Sequence, residues 1–201
     1  MNLNLDSMFI EPHIQNEQDE KRGWIEVICG SMFSGKTEEL IRRLKRGAIA
    51  HLEASTFKPV MDTRYHHSDI VSHDENSLSS IPVDHSGKII PLSSGAKIVA
   101  IDEAQFFDME LPETCEKLAI QGKRVIVAGL DMDYTGNPFG PIPAMLARAD
   151  YITKLHAICV KCGHIANYSY RKNSSRQKLL LGEKELYEPR CRVCFYKGDE
   201  V

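Results

Sequence analysis

The stretch Trp24-Ile-Glu-Val-Ile-Cys-Gly-Ser-Met-Phe-Ser-Gly-Lys-Thr37 decides the fold. Its first six residues are mostly apolar and rich in branched side chains, and the run stops at Gly30, which is typical of a buried strand. From Lys36 to Ala50, apolar residues recur at roughly helical spacing with basic residues between them. The sequence therefore predicts a strand that leads through a short loop directly into a helix.

Further stretches alternate between strand and helix patterns. Branched runs predict strands at Ser55 to Val60, Lys97 to Ile101 and Lys123 to Ala128, and the last two flank a predicted helix from Leu111 to about Gln121. Strands that alternate with helices favour a parallel sheet, so we predict an α/β fold. The polar stretch from Met61 to Ser94 holds four histidines, and we expect short strands and loops there.

Composition divides the chain into a core with two appendages. With 201 residues, 42% of them hydrophobic and 26% charged, the chain has room for one domain and a smaller lobe. Residues 1–22 are polar and aperiodic, which predicts a flexible tail. The pattern changes after Asp150, where paired cysteines follow. We therefore predict a core at residues 23–150 and a C-terminal lobe at residues 151–201.

Charge and hydropathy narrow the class of protein. The chain has 25 Lys and Arg against 28 Asp and Glu, a net charge of −3, so it lacks the basic excess that nucleic-acid binding usually needs. Met1 to Phe9 carries no Lys or Arg, and no run of ~18 apolar residues occurs. We expect a soluble cytoplasmic protein that binds neither nucleic acid nor a membrane.

The loop after the first strand fits the phosphate-binding pattern G-x-x-x-x-G-K-[ST]. Glycines let the backbone curl so that N–H groups point at phosphates, Lys36 reaches the β/γ oxygens, and the Thr37 hydroxyl suits Mg²⁺. A chance match is the alternative, but the position between a strand and a helix opposes it. The predicted ATP-binding residues of this loop are Gly30, Ser31, Met32, Phe33, Ser34, Gly35, Lys36 and Thr37.

Two adjacent acids follow a second apolar strand. Lys-Ile-Val-Ala-Ile-Asp102 resembles a Walker B segment, so we predict that Asp102 and Thr37 hold Mg²⁺. Glu103 follows at the carboxyl edge of the predicted sheet, where it could take a proton from an attacking hydroxyl, and we predict it to be the general base. A plain acid at a helix N-terminus is the alternative. Ala104 and Gln105 complete this predicted ATP-binding segment.

Four of the six cysteines form two Cys-x-x-Cys pairs. Cys159 and Cys162 form the first pair, and Cys191 and Cys194 form the second. Two such pairs favour one tetrahedral Zn²⁺ with a closed S₄ shell, which is structural and not catalytic. A redox dithiol is the competing interpretation. Cys29 and Cys115 fit no pair, and we predict that both are inert core thiols.

Five motifs together resemble the type II thymidine kinase family. They are Gly30 to Thr37, Asp62-Thr-Arg-Tyr65, Asp102-Glu-Ala-Gln-Phe-Phe107, Leu130-Asp131 followed by Asn137-Pro-Phe-Gly140, and the paired cysteines. Their order from about Gly23 to Lys197 is far more specific than the loop alone. The resemblance implies ATP-dependent phosphorylation of the 5′-hydroxyl of thymidine or deoxyuridine in deoxynucleotide salvage, with feedback inhibition by dTTP. It also implies a RecA-like P-loop core, a zinc-held lasso loop over the nucleoside, and a homotetramer.

The resemblance assigns roles to further residues. Glu103 matches the general base of the family, and Asp62 and Arg64 match positions near the phosphates, although a loop Asp and Arg are as often merely solvated. Tyr134 stands where many members have Phe, so its hydroxyl needs a partner or water. Without the resemblance, ordinary core positions would be the simpler interpretation of these aromatic residues. The residues that match the nucleoside site are Met32, Phe106, Leu130, Tyr134, Phe139, Leu180, Tyr187 and the lasso glycine Gly182.

Two other functions compete with a nucleoside kinase. Asp-Glu-Ala-Gln resembles helicase Walker B boxes, and zinc ribbons often touch DNA, so a nucleic-acid-dependent ATPase is the first. A helicase of that kind needs a second motor lobe, for which the chain is too short. The second is a non-catalytic zinc-bearing interaction module, which Glu103 beside Asp102 opposes. The sequence leaves open the preference between thymidine and deoxyuridine.

Overall fold

A computed structural model describes residues 22–61, 69–71, 77–172 and 186–198. Residues 1–21 of the predicted tail lie outside the described residues. The strands of the core are β1 (Trp24–Gly30), β2 (Ala54–Pro59), β3 (Asp69–Val71), β4 (Ser77–Ser79), β5 (Ile81–Val83), β6 (Ile98–Ile101), β7 (Arg124–Gly129) and β8 (Tyr151–Leu155). Its helices are α1 (Lys36–Ile49), α2 (Ile89–Leu92), α3 (Leu111–Ile120) and α4 (Ile142–Arg148).

Within the described ranges, six strands form one sheet in the order β5-β2-β6-β7-β1-β8. Every strand pair in this sheet is parallel, as predicted. In the register, Cys29 lies opposite Gly129 and Gly30 lies opposite Leu155. The carboxyl ends of β1, β7 and β8 therefore meet at one edge, which is where ligands bind in open α/β sheets.

Helices cover both faces of the sheet, which explains why its strands are apolar on both sides. On one face, Leu40, Ile41 and Leu44 of α1 pack against buried residues such as Ile28 and Ile126. The opposite face packs against α3 and α4 through a second cluster. Members of that cluster are Val27, Val99, Val127, Leu111, Leu118, Ile142 and Met145.

A buried ion network fixes α1 to the sheet. Glu26 is fully buried on β1, and its carboxylate accepts hydrogen bonds from Arg43 Nη1 at 2.7 Å and from Arg124 Nε at 2.6 Å. Trp24 Nε1 donates to the same carboxylate at 2.7 Å. Several donors satisfy the buried charge, as its desolvation requires. The network holds in place the helix that begins with Lys36.

The C-terminal part is a small lobe of short elements. They are β9 (Ala157–Ile158), β10 (Ile165–Ala166), β11 (Tyr168–Arg171), β12 (Tyr187–Arg190) and α5 (Arg192–Lys197). Strands β9 and β10 form one antiparallel pair, and β11 and β12 form another. Its apolar cluster is small and includes Ala157, Cys159, Ala166 and Cys194.

The structure departs from the sequence prediction in two places. The predicted lobe starts at residue 151, but β8 pairs with β1, so the central sheet includes residues 151–155. Between residues 61 and 94 the expected short strands occur, together with the helix α2, which the sequence analysis did not predict. In the described part of the chain, no helix has the length and apolar character needed to cross a membrane.

Candidate active site

The loop between β1 and α1 has the backbone that a phosphate-binding loop requires. Gly30 has φ 146° and Gly35 has φ 87°, a range that residues with a Cβ rarely adopt. A Cβ at Gly30 would lie 2.2 Å from the carbonyl oxygen of Leu155, so strand β8 also excludes a side chain there. The Lys36 ammonium donates to the Ser31 carbonyl oxygen at 2.8 Å, inside the curve of the loop. The strand and the helix on either side of the loop occur where the sequence analysis predicted them.

The predicted magnesium ligands meet across the sheet edge. The Thr37 hydroxyl donates to Asp102 Oδ2 at 3.4 Å, and Asp102 is buried at the end of β6. Hydroxyl and carboxylate oxygens are the hard ligands that Mg²⁺ prefers, so this donor set fits the ion. The Ser34 hydroxyl is buried and has no hydrogen-bond partner among the described residues. A buried hydroxyl without a partner in this loop fits a phosphate oxygen as its acceptor.

Glu103 has an unusual backbone conformation beside this pair. Its φ of 50° is left-handed, which costs free energy for a residue other than glycine and is common at functional sites. The Glu103 N–H donates to Asp102 Oδ1 at 2.9 Å, and this hydrogen bond orients the Asp102 carboxylate. The 3₁₀ turn that follows, Ala104–Phe106, has only three residues, and the Glu103 side chain makes no capping hydrogen bond to it. The helix-terminus interpretation therefore has little support, because such a short turn has a small dipole.

Gln105 links the candidate base to the next strand. Its side-chain amide donates to Glu103 Oε2, and its carbonyl oxygen accepts from the Leu130 N–H at 2.9 Å. Gln105 is 2% exposed. A Cβ at Gly140 would lie 2.2 Å from the backbone carbonyl oxygen of Gln105, so the Asn-Pro-Phe-Gly segment needs glycine there. The sequence analysis placed Gln105 in the ATP-binding segment, whereas its described contacts orient Glu103.

The four aromatic residues predicted at the nucleoside site lie in two groups. Phe106 and Phe139 contact each other edge to face, with ring centroids 5.6 Å apart. Tyr134 and Tyr187 both contact Arg171, whose guanidinium lies 3.5 Å from the Tyr134 ring centroid and donates to the Tyr187 hydroxyl at 2.7 Å. The predicted residues Asp62, Arg64, Leu180 and Gly182 lie outside the described residues.

Arg171 was missed by the sequence analysis. It is 8% exposed and lies opposite Tyr187 in the pairing of β11 with β12. Because it lies in a Lys/Arg-rich stretch, its sequence context is typical of a solvated charge. Burial of a guanidinium costs free energy unless it has partners, and the Tyr134 ring and the Tyr187 hydroxyl are such partners. These contacts hold both tyrosines in place.

The sequence analysis also missed an ion pair at the edge of the central sheet where β7 and β8 end. Lys154 Nζ lies 2.7 Å from Asp131 Oδ2, and this hydrogen bond raises the pKa of Lys154. Asp131 Oδ1 is buried without a hydrogen-bond partner in the described ranges. Asp131 had been noted only within the Leu-Asp motif. The pair connects the segment after β7 with β8.

The four paired cysteines converge on one point. The sulfur atoms of Cys159, Cys162, Cys191 and Cys194 all lie within 4.8 Å of one another. Burial opposes ionisation of Cys159, but hydrogen bonds from backbone N–H groups outweigh it and lower the pKa of its thiol to about 6. Hydrogen bonding to Cys162 and burial raise the pKa of Cys194 to about 12, which a nearby divalent cation would reverse. This donor set fits tetrahedral Zn²⁺ better than two separate redox dithiols.

The two remaining cysteines are core thiols, as predicted. Cys29 and Cys115 are free and buried. Burial and the nearby Asp131 raise the pKa of Cys29 to about 11, and burial raises the pKa of Cys115 as well. Neither thiol is therefore a reactive nucleophile.

Comparison with known proteins identifies the family of the chain. The sequence model of the thymidine kinase family matches residues 23–195. The thymidine kinase of Rhodothermus sp. (strain ITI 518) is 59% identical over 173 residues, which cover 86% of this chain and 81% of that protein. The thymidine kinase of Bacteroides fragilis (strain YCH46) is 55% identical over 191 residues, which cover 95% of both chains. The thymidine kinase of Porphyromonas gingivalis (strain ATCC BAA-308 / W83) is 55% identical over 177 residues, which cover 88% of this chain and 87% of that protein. These matches confirm the expected enzyme class, and the chain belongs to the thymidine kinase family.

Proposed function

We propose that this enzyme transfers the γ-phosphoryl group of ATP to the 5′-hydroxyl of thymidine, with deoxyuridine as a second acceptor. One observation carries the proposal: the Thr37 hydroxyl contacts Asp102, so the loop that suits phosphates and the acid pair meet at one sheet edge. A phosphoryl donor and an activated hydroxyl need this proximity. The names of the similar proteins supply the nucleoside.

In the proposed reaction, the loop N–H groups and Lys36 stabilise the charge on the transferring phosphoryl group. Magnesium ion, held by Thr37 and Asp102, supplies further neutralisation of the phosphate charge when it is bound. Glu103 accepts the proton of the 5′-hydroxyl as the oxygen attacks the γ-phosphorus, and the bond from that phosphorus to the bridging oxygen of ADP breaks. Gln105 orients the Glu103 carboxylate through the hydrogen bond described above.

We propose that the thymine base packs against the aromatic side chains of the two groups. A flat, largely apolar base suits aromatic walls, which Phe106, Phe139, Tyr134 and Tyr187 supply. We extend the proposal to Met32, Leu130, Leu180 and Gly182 as nucleoside contacts, and to Asp62 and Arg64 near the phosphates. Their support is the family to which the chain belongs.

Several further properties follow from family membership as proposals. They are feedback inhibition by dTTP, a homotetramer, a structural Zn²⁺ on the four cysteines, and a cytoplasmic location. The reducing conditions of the cytoplasm keep thiolates available for metal, which agrees with that location. The cysteine cluster supports the zinc proposal.

A nucleoside panel tests the proposal directly. The full chain is incubated with labelled ATP, Mg²⁺ and each of thymidine, deoxyuridine, deoxycytidine and water as sole acceptor. We expect labelled dTMP and dUMP and negligible ATP hydrolysis. ATP hydrolysis that DNA stimulates and thymidine does not would overturn the proposal in favour of a nucleic-acid-dependent ATPase. The absence of any nucleoside monophosphate product would overturn it as well.

A further inference from the structure

Three consecutive residues of the phosphate-binding loop, Ser31, Met32 and Phe33, each contact the C-terminal lobe. From these contacts we infer that the lobe holds the loop in its ATP-binding conformation, with Ser169 as a positioning residue for ATP. The inference rests on the proposed function of the loop. It gives the lobe a role on the phosphate side of the site, separate from its role near the nucleoside.

The first contact fixes one peptide group of the loop. The Met32 N–H donates to the Ser169 hydroxyl at 2.9 Å, across 137 positions in sequence. Ser169 is 4% exposed on β11. This N–H therefore points at the lobe and not into the curve of the loop. With that peptide orientation set, the neighbouring peptides of the loop are constrained as well, because each has only two soft dihedral angles.

The second contact reaches Lys36 through Ser31. The Ser31 hydroxyl donates to the Ala166 carbonyl oxygen of β10 at 3.4 Å, while the Ser31 carbonyl oxygen accepts from Lys36 Nζ at 2.8 Å. Ser31 is 2% exposed. One buried serine thus connects the lobe with the ammonium group that is proposed to contact ATP.

The third contact is apolar and stabilises a strained residue. Phe33 has φ 64°, a left-handed conformation that costs free energy for a bulky side chain. Its ring packs against the small apolar cluster that contains Cys159 and Cys194. Packing on the lobe therefore offsets the strain of the loop. A change in the cysteine cluster should reach the loop by this path.

The change Ser169→Ala removes the hydroxyl that Met32 uses, and the expected result is a KM for ATP raised ~2–10-fold, the effect of one lost hydrogen bond. The zinc content stays unchanged, because the metal ligands are intact, and the KM for thymidine rises less than the KM for ATP, because the aromatic groups are intact. Amide exchange at Met32 becomes faster. Ser169→Thr keeps the hydroxyl and restores the KM for ATP. Ser93→Ala is the matched control, since Ser93 is also buried and donates its hydroxyl to a backbone carbonyl, that of Ile90.

Each outcome decides the inference. An unchanged KM for ATP in Ser169→Ala overturns it, and so does an equal rise of both KM values, which would indicate general loosening of the lobe. A rise that Ser93→Ala reproduces would overturn it too. If the wild-type chain phosphorylates no nucleoside, the proposed function fails, and calorimetric binding of ATP to the wild-type chain and Ser169→Ala still tests the inference by itself. A weaker ATP affinity in the variant then supports it, and equal affinities overturn it.

Discussion

The two sides of the candidate site are built differently. On the proposed phosphate side, Lys36 and Thr37 begin helix α1 and Asp102 follows strand β6 of the central sheet, so the backbone of packed elements sets their positions. On the proposed nucleoside side, Tyr134 and Tyr187 contact the side chain of Arg171, and the lobe has short strands and a small apolar cluster. Because the backbone sets the positions of these residues, the loss of one functional side chain should leave its neighbours in place. The lobe instead depends on individual bonds, so substitutions there should alter shape as well as chemistry.

The largest effect is expected when a ligand of the proposed zinc site is removed. Cys162→Ser leaves an incomplete S₃ shell, so bound zinc should fall from about one ion per chain to nearly none, and both KM values should rise. Elemental analysis and steady-state kinetics measure these changes. Cys115→Ala is the control, because Cys115 is buried in α3 away from the cluster and its loss should leave zinc in place. Zinc retained in full by Cys162→Ser contradicts the metal site.

The next largest effect concerns the phosphate side alone. Glu103→Gln has nearly the same shape but cannot accept the 5′-hydroxyl proton, so kcat should fall ~10²–10⁴-fold while binding of ATP and thymidine persists. Calorimetry measures the binding and labelled ATP the turnover. Glu110→Gln is the matched control, since Glu110 immediately precedes helix α3 and tests a helix-terminus role directly. Near-normal turnover by Glu103→Gln would rule out the general base.

A smaller loss should follow when the support of Glu103 is removed. Gln105→Met fills similar space but loses the hydrogen bonds to the Glu103 carboxylate and the Leu130 N–H. Hydrogen bonds to charged groups contribute roughly 1.5–3 kcal/mol, so we expect kcat to fall ~10–100-fold, with a shifted pH profile. Gln121→Met, at an exposed position after α3, serves as the control. An unaltered pH profile would show that Gln105 does not act through Glu103.

The smallest effect is expected from a single hydroxyl of the lobe. Tyr187→Phe keeps the ring but removes the acceptor that Arg171 uses, so the KM for thymidine should rise ~2–10-fold while the KM for ATP stays constant. Tyr151→Phe, at the start of β8 and so at the opposite end of that strand from the site, is the control. Steady-state kinetics with each substrate varied in turn separates the two constants. If the KM for ATP rises instead, Tyr187 belongs to the phosphate side.

Elements with a local signature were predicted well. The helix predicted at Lys36 to Ala50 is Lys36–Ile49, and the one predicted at Leu111 to about Gln121 is Leu111–Ile120. Apolar spacing alone indicates such elements, because a helix repeats every ~3.6 residues. The C-terminal boundary of the core was harder to predict from the sequence. Strand β8 is largely exposed at the sheet edge, so its hydrophobic pattern is weak.

The sequence by itself determined the phosphate-binding loop, the acid pair at 102–103 and the cysteine pairs, because each depends on residue types at short fixed spacings. Only the tertiary structure decided the partners that join distant segments. These are Gln105 with Leu130, Arg171 with Tyr134 and Tyr187, and Ser169 with Met32. A hydrogen bond depends on distances of about 3 Å between groups far apart in sequence, and spacing along the chain carries no such information. The fold supplies it by bringing strand ends and lobe to one edge of the sheet.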